Sequence, residues 1–203
     1  MKAVLCRILC LLMAIVLTVS LFGCDNAGNP FENKVTLKTE GKSYTFGSTV
    51  TLEELEKNHE NFGHVSGIIY ALGDASLLLR PTDEEGKLKI VGFSINGNNS
   101  KAEINGIKLG DKAEKVLNAF KGADYRETPG GEKTQVIKAY YYKGVLISDK
   151  ENMEKRMEIG KEGAEAMNEF NESVFTISAL TDGEDGAIRN IIYGDVKAVT
   201  LMR

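Results

Sequence analysis

Val174-Phe-Thr-Ile-Ser-Ala-Leu-Thr-Asp-Gly-Glu-Asp-Gly-Ala-Ile-Arg-Asn-Ile-Ile-Tyr193 reads as two strands around a turn. Val174–Leu180 and Ala187–Tyr193 are rich in β-branched and aromatic residues. The residues between them supply positive φ and local side-chain caps. Working outward, the same pattern recurs. Val136–Tyr142 and Val145–Ser148 form a second hairpin, and Val35–Thr39 and Ser43–Phe46 a third, around Glu40-Gly41-Lys42. Single strands are expected over Val65–Ala71, Ser76–Arg80, Lys87–Ile95 and Ala102–Leu109, separated by Leu72-Gly73-Asp74 and by Pro81–Gly86.

Three helices interrupt these strands. Thr51-Leu-Glu-Glu54 has the form of a capping box and opens a short helix ending near Gly63. Asp111 and Glu114 begin a second, which places Ala113, Val116, Leu117 and Phe120 on one face and stops at Gly122. A charged third helix, Glu151–Phe170, carries Met153, Met157, Ala164 and Met167 on one side, with Gly160 and Gly163 weakening it. Hairpins and separate helices without strand-helix-strand alternation indicate an α+β fold, with largely antiparallel sheets and two or three packed helices. Residues 35–203 form this α+β domain, with a break near 96–103 if it divides into two small sub-domains. Leu79–Ile90 and Leu180–Ile191 share a strand, a Thr-Asp turn, a Gly and a second strand. Two hairpins converging on one turn chemistry account for this, with duplication as the alternative.

All three cysteines, Cys6, Cys10 and Cys24, fall in the first 24 of the 203 residues. The rest of the chain therefore has no disulfide and no thiol chemistry. Lys2 and Arg7 precede the uncharged run Ile8–Gly23, the layout of a secretory signal peptide. Sixteen residues fall short of the roughly 20 that span a bilayer. Leu21-Phe22-Gly23-Cys24 resembles the lipobox of bacterial lipoproteins, although Phe22 departs from the small residue usual there. The resemblance implies a signal peptide over 1–23, cleavage before Cys24, lipidation of Cys24 with palmitate among its chains, and a polar tether over 24–34. It places the protein at the cell membrane, lipid-anchored on the extracytoplasmic face. Two or more acyl chains suffice for stable anchoring.

Without residues 1–23 the formal charge moves from −4 to −6. An acidic surface without a Lys/Arg cluster repels phosphate backbones, so nucleic acid is not an expected partner. Lys38–Gly47 with the helix after it, and Ile104-Asn-Gly-Ile-Lys-Leu-Gly-Asp-Lys-Ala-Glu-Lys-Val-Leu-Asn-Ala-Phe120, resemble a recurring pattern of uncharacterised bacterial lipoproteins. The second segment is also similar to modules with a β-lactamase-inhibitor-protein-like fold. That resemblance implies helices against an antiparallel sheet and a role in binding other proteins without catalysis, and it assigns no site residues.

Catalytic templates fail one by one. His59-Glu-Asn-Phe-Gly-His64 has one residue more than the zinc motif H-E-x-x-H, and positions i and i+5 lie about 140° apart on a helix. Both histidines are therefore expected at the surface or partly packed. Gly92-Phe-Ser94-Ile-Asn-Gly97 spaces its second glycine beyond the G-x-S-x-G elbow. Asp182, Glu184 and Asp185 lack calcium-loop spacing and read as turn residues. Tyr140-Tyr-Tyr142 alternates across a strand, which favours packing over a stacking platform. Gly106–Gly110 and Gly130-Gly131 lack phosphate-loop spacing.

No catalytic residue, cofactor or metal ligand is expected, and Cys24 is the one residue assigned a chemical role. The expected function is a lipid-anchored extracytoplasmic binding protein whose partner is an envelope protein or a small ligand. The alternative is an envelope hydrolase whose site assembles only in the fold. A pocket with convergent carboxylates would favour the enzyme, and an open face with exposed apolar residues a partner surface.

Overall fold

Alternation along β7 (Leu88–Asn96) and β13 (Ile188–Asp195) buries one side of each strand in the main core, and the two strands pair antiparallel at the middle of the molecule. The computed structural model describes residues 35–97, 99–120, 122–127, 135–182 and 185–202. The expected lipobox with Cys24, the expected tether, Gly130-Gly131 and Glu184 lie outside these residues. The other strands are β1 (Thr36–Thr39), β2 (Lys42–Thr45), β3 (Thr49–Val50), β4 (Phe62–Ser66), β5 (Ile69–Leu72), β6 (Ala75–Pro81), β8 (Glu103–Ile104), β9 (Asp124–Glu127), β10 (Gln135–Tyr142), β11 (Val145–Ile147) and β12 (Val174–Thr181). The helices are α1 (Leu52–Asn58), α2 (Ala113–Ala119), α3 (Asp149–Ile159), α4 (Ala164–Ser173) and α5 (Val196–Thr200).

The protein is α+β with open, antiparallel sheets. A ten-stranded sheet runs β11-β10-β12-β13-β7-β6-β5-β4, with β9 on the same edge of β10 as β11 and β3 pairing with the start of β7. A small sheet, β2-β1-β8, contributes Leu37, Tyr44 and Ile104 to the main core, together with Leu55 of α1 and Val116 and Phe120 of the following turn-helix unit. Tyr193 lies at its centre, stacked on Phe93 and Phe120 and edge-on to Phe46. Smaller apolar clusters on Leu78, Val91 and Ala198, and on Phe170, Val174 and Val196, lie outside this core where α4 and α5 pack. Since β7 pairs with β13, residues on both sides of 96–103 share one sheet and one core. Asp74 binds that connecting segment to the small sheet, accepting from Thr39 Oγ1, Ser100 Oγ and the Lys101 and Ala102 amides.

Several expected elements differ. Five helices form among the described residues, more than the two or three expected. Val65–Ala71 is not one strand, because Gly67 at φ 53° turns the chain and pairs β4 with β5. Ala102–Leu109 contributes only two strand residues before Asn105 and Gly106, both at positive φ, reverse it. Glu151–Phe170 is two helices, broken where Gly163 takes φ 116°. Met153 and Met157 are 61% and 62% exposed and form no buried stripe. α1 ends at Asn58, short of Gly63, with His59 as its C-cap. Lys112, with no side-chain cap, stands at the N-terminus of α2, while Asp111 turns to the Lys108 amide and the Lys115 ammonium.

Candidate functional site

Beyond Tyr193, where the sequence reading stopped, β13 runs on into α5 through Asp195. Its carboxylate is 2% exposed and accepts from the Ala198 amide at 2.7 Å, capping the helix. Two strands away on the sheet, Arg80 of β6 extends its guanidinium to Asp195 Oδ2 at 3.2 Å and to Glu172 Oε1 at 3.3 Å. Lys197 also donates to Glu172 Oε1, at 2.8 Å. Burial pushes the Asp195 carboxyl above its ordinary value, outweighing the Ala198 amide and the Arg80 guanidinium. The Glu172 carboxyl is held below its ordinary value, chiefly by the Lys197 hydrogen bond and further by the charge of Arg80.

Arg80, Glu172 and Asp195 edge a cleft of about 370 Å3 that Phe46, Lys89, Glu169 and Phe175 also line. Phe46 and Phe175 meet edge to face, with centroids 5.2 Å apart. Arg80 and Lys89 are cross-strand partners, which brings both cations to one end of the β6–β7 hairpin. Arg80 is balanced by Glu172 and Asp195; Lys89 and Glu169 form no direct ion pair among the described residues, and the charge of Lys89 also helps to lower the Glu172 carboxyl. The cleft thus offers one cation, one carboxylate and an aromatic wall to whatever enters it. Its size suits a small molecule.

The histidines are not brought together. His59 is 2% exposed, more deeply buried than the surface or partly packed placement expected of it. A buried imidazole needs both nitrogens satisfied, and here Nε2 meets the Tyr44 hydroxyl at 2.6 Å while Nδ1 meets Glu40 Oε2 at 2.7 Å. Burial, with the charges of Glu54 and Glu40, pushes the Tyr44 hydroxyl up to about 12. That hydroxyl points into the core, so the chain Tyr44–His59–Glu40 ties β2 to α1 rather than facing a substrate. His64 is exposed and bonds to the Gly67 carbonyl. Among the described residues no group of three His, Cys, Asp or Glu side chains could hold a metal ion.

Ser94 is buried in β7 opposite Ile192, away from any turn. Asp182 and Asp185 bind Arg189, and Asp185 also accepts from the Ala187 amide, which is turn closure. Tyr141 faces the main core while Tyr140 and Tyr142 face the opposite side, where Lys143 and Lys155 lie over the Tyr142 ring. Arg80, Glu172 and Asp195 were not singled out by sequence reading. They are separated by up to 115 residues, and the one local signal is Asp195 ahead of Val196-Lys-Ala, an N-cap pattern.

No protein family, curated protein or solved structure matches this chain.

Proposed function

We propose that the chain is a lipid-anchored extracytoplasmic binding protein of a bacterial cell envelope. Acyl chains on Cys24 hold it at the cell membrane, and a small ligand bearing both signs of charge enters the cleft beside Arg80. The lipobox supports the anchor. No helix among the described residues is long and apolar enough to cross a membrane. One observation carries the binding role: Lys89 and Glu169 line one cleft, with no direct ion pair among the described residues, against the Phe46–Phe175 wall. A short peptide or amino-acid derivative has the matching ammonium, carboxylate and apolar surface.

Two experiments test this reading. Cys24→Ser should abolish palmitate labelling and release the protein from membranes; a variant that stays membrane-bound refutes the anchor. Amino acids and dipeptides screened by thermal shift should yield a ligand whose affinity falls about ten-fold in Lys89→Ala and in Glu169→Ala. Undiminished binding in both would place the ligand elsewhere.

A specific observation favours a second reading, the envelope hydrolase. Glu172 and Asp195 share one guanidinium while their carboxyls are pushed in opposite directions, the pattern of an acid and base pair. Asp195, however, is fully engaged in capping α5 and binding Arg80, which favours binding. Hydrolysis of a peptide or glycoside that disappears in Glu172→Gln would reverse that preference.

A further inference from the structure

The chain enters the fold beside the Arg80 cleft. Val35, where the described residues begin, accepts at its carbonyl from the Phe46 amide at 2.9 Å, and Phe46 and Gly47 line that cleft. Ten residues, 25–34, separate Val35 from Cys24. Fully extended, they reach about 35 Å, whereas a domain of this size is about 40 Å across and a path round half its circumference is about 60 Å. With Cys24 in the bilayer, such a tether is too short to turn this side of the domain away from the membrane. The charges around the cleft balance, with Arg80, Lys89 and Lys197 set against Glu169, Glu172 and Asp195. Lys89 and Glu169 are the exposed pair among them, and neither has a direct ion pair among the described residues.

A dipeptide and the head group of a zwitterionic phospholipid both carry an ammonium and an oxyanion, and the place of the cleft favours the second. We infer, on the lipid-anchored binding reading above, that the cleft takes a phospholipid head group with a primary ammonium from the membrane that holds Cys24. Lys89 meets the phosphodiester and Glu169 the ammonium. An acidic surface is repelled by anionic lipid heads, whereas a zwitterionic head has no net charge and leaves the balance of the cleft unchanged. A primary ammonium gives Glu169 charge-assisted hydrogen bonds, and a trimethylammonium has no N–H to give. Quaternary ammonium groups are held by aromatic cages, but here the aromatic lining is Phe175 and a Phe46 that is only 7% exposed. The site therefore fits ethanolamine rather than choline.

The test is titration calorimetry on the full chain in detergent at pH 7, with glycerophosphoethanolamine, glycerophosphocholine and the dipeptides of the screen above. Glycerophosphoethanolamine should bind, and glycerophosphocholine about ten-fold more weakly; Lys89→Ala and Glu169→Ala should each weaken the former about ten-fold. The lipidated chain is then reconstituted in phosphatidylcholine vesicles with and without phosphatidylethanolamine. Where phosphatidylethanolamine is present, the amides of residues 169–173 should exchange more slowly in the wild type and not in Glu169→Ala. Dipeptides that bind through Lys89 and Glu169 while neither head group binds overturn the lipid ligand and leave the cleft reading standing. No binding by any of the three overturns both. Equal affinity for the two head groups overturns the preference for a primary ammonium. Head-group binding in detergent without protection on the vesicles assigns the ligand to a soluble phosphodiester and overturns the membrane source. Both substituted residues are exposed, and thermal melts check that each variant is folded.

Discussion

At the residue scale, Asp195 shows how a side chain can be structural and electrostatically exposed to change. Its carboxyl stands above the ordinary value because burial outweighs the Ala198 amide and Arg80. A carboxyl raised on folding contributes stability that is complete below the unfolded value, about 4, and is lost as pH rises through the folded value. Arg80 limits that loss. Arg80→Met should therefore destabilise by about 2–3 kcal/mol at pH 8, where it leaves a buried carboxylate unpaired, and by less at an acidic pH, where protonation of the raised Asp195 carboxyl relieves the unpaired charge. Urea denaturation at the two pH values measures this, and an equal loss at both would mean that Arg80 acts through packing. His59 carries the complementary lesson. Its sequence neighbourhood resembles a failed metal motif, yet its place is decided by Tyr44 and Glu40, 15 and 19 residues away. Nothing in His59–His64 announces those partners.

At the element scale, α2 and α3 differ in what holds them. Ala113, Val116 and Phe120 of the α2 segment are buried, as their 3.6-residue spacing requires. α3 buries only Asn152, exposes Met153 and Met157, and depends on its N-terminus. There Ser148 Oγ accepts from the Glu151 amide at 3.2 Å, and Glu151 Oε2 accepts from the Ser148 amide at 2.7 Å, a complete capping box. Ser148→Ala should weaken α3 by about 1 kcal/mol. Hydrogen exchange should show faster amides in Asp149–Ile159 and unchanged amides in β7 and β13. Uniform acceleration would mean that α3 unfolds only with the whole chain. The capping box expected at Thr51 is half present, since Thr51 Oγ1 accepts from the Glu54 amide. Helix existence was legible from apolar spacing and caps. Helix length was not, because Gly160 and Gly163 weaken a helix without dictating where it breaks.

At the scale of the whole molecule, the two hairpins whose sequences share a Thr-Asp turn are β6–β7 and β12–β13, and they meet edge to edge through β7 and β13. Gly92 lies opposite Gly194 at that seam. From it, β7-β6-β5-β4 runs one way and β13-β12-β10-β9 the other, each series preceded in the chain by a short helix, with β11, α3 and α4 inserted in the second. The hairpin resemblance therefore has a pseudo-two-fold counterpart in space. A Cβ on Gly92 would lie 2.7 Å from the Tyr193 carbonyl oxygen, and one on Gly194 would lie 2.8 Å from that of Val91. Gly92→Ala and Gly194→Ala should each destabilise by about 1–3 kcal/mol, and the double variant by less than their sum because one displacement of the strands relieves both. Denaturant midpoints of the three variants check this, and strict additivity would count against a shared seam. The sequence by itself determined the fold class, the hairpins and the apolar face of α2, because strand alternation, turn chemistry and helical spacing are properties of neighbours along the chain. Only the tertiary structure decided that β7 joins β13, that His59 is buried, and that Arg80, Glu172 and Asp195 share one cleft. Those arrangements depend on which sheet edges meet and on what shields a charge from water, and both are set by residues up to 115 positions apart.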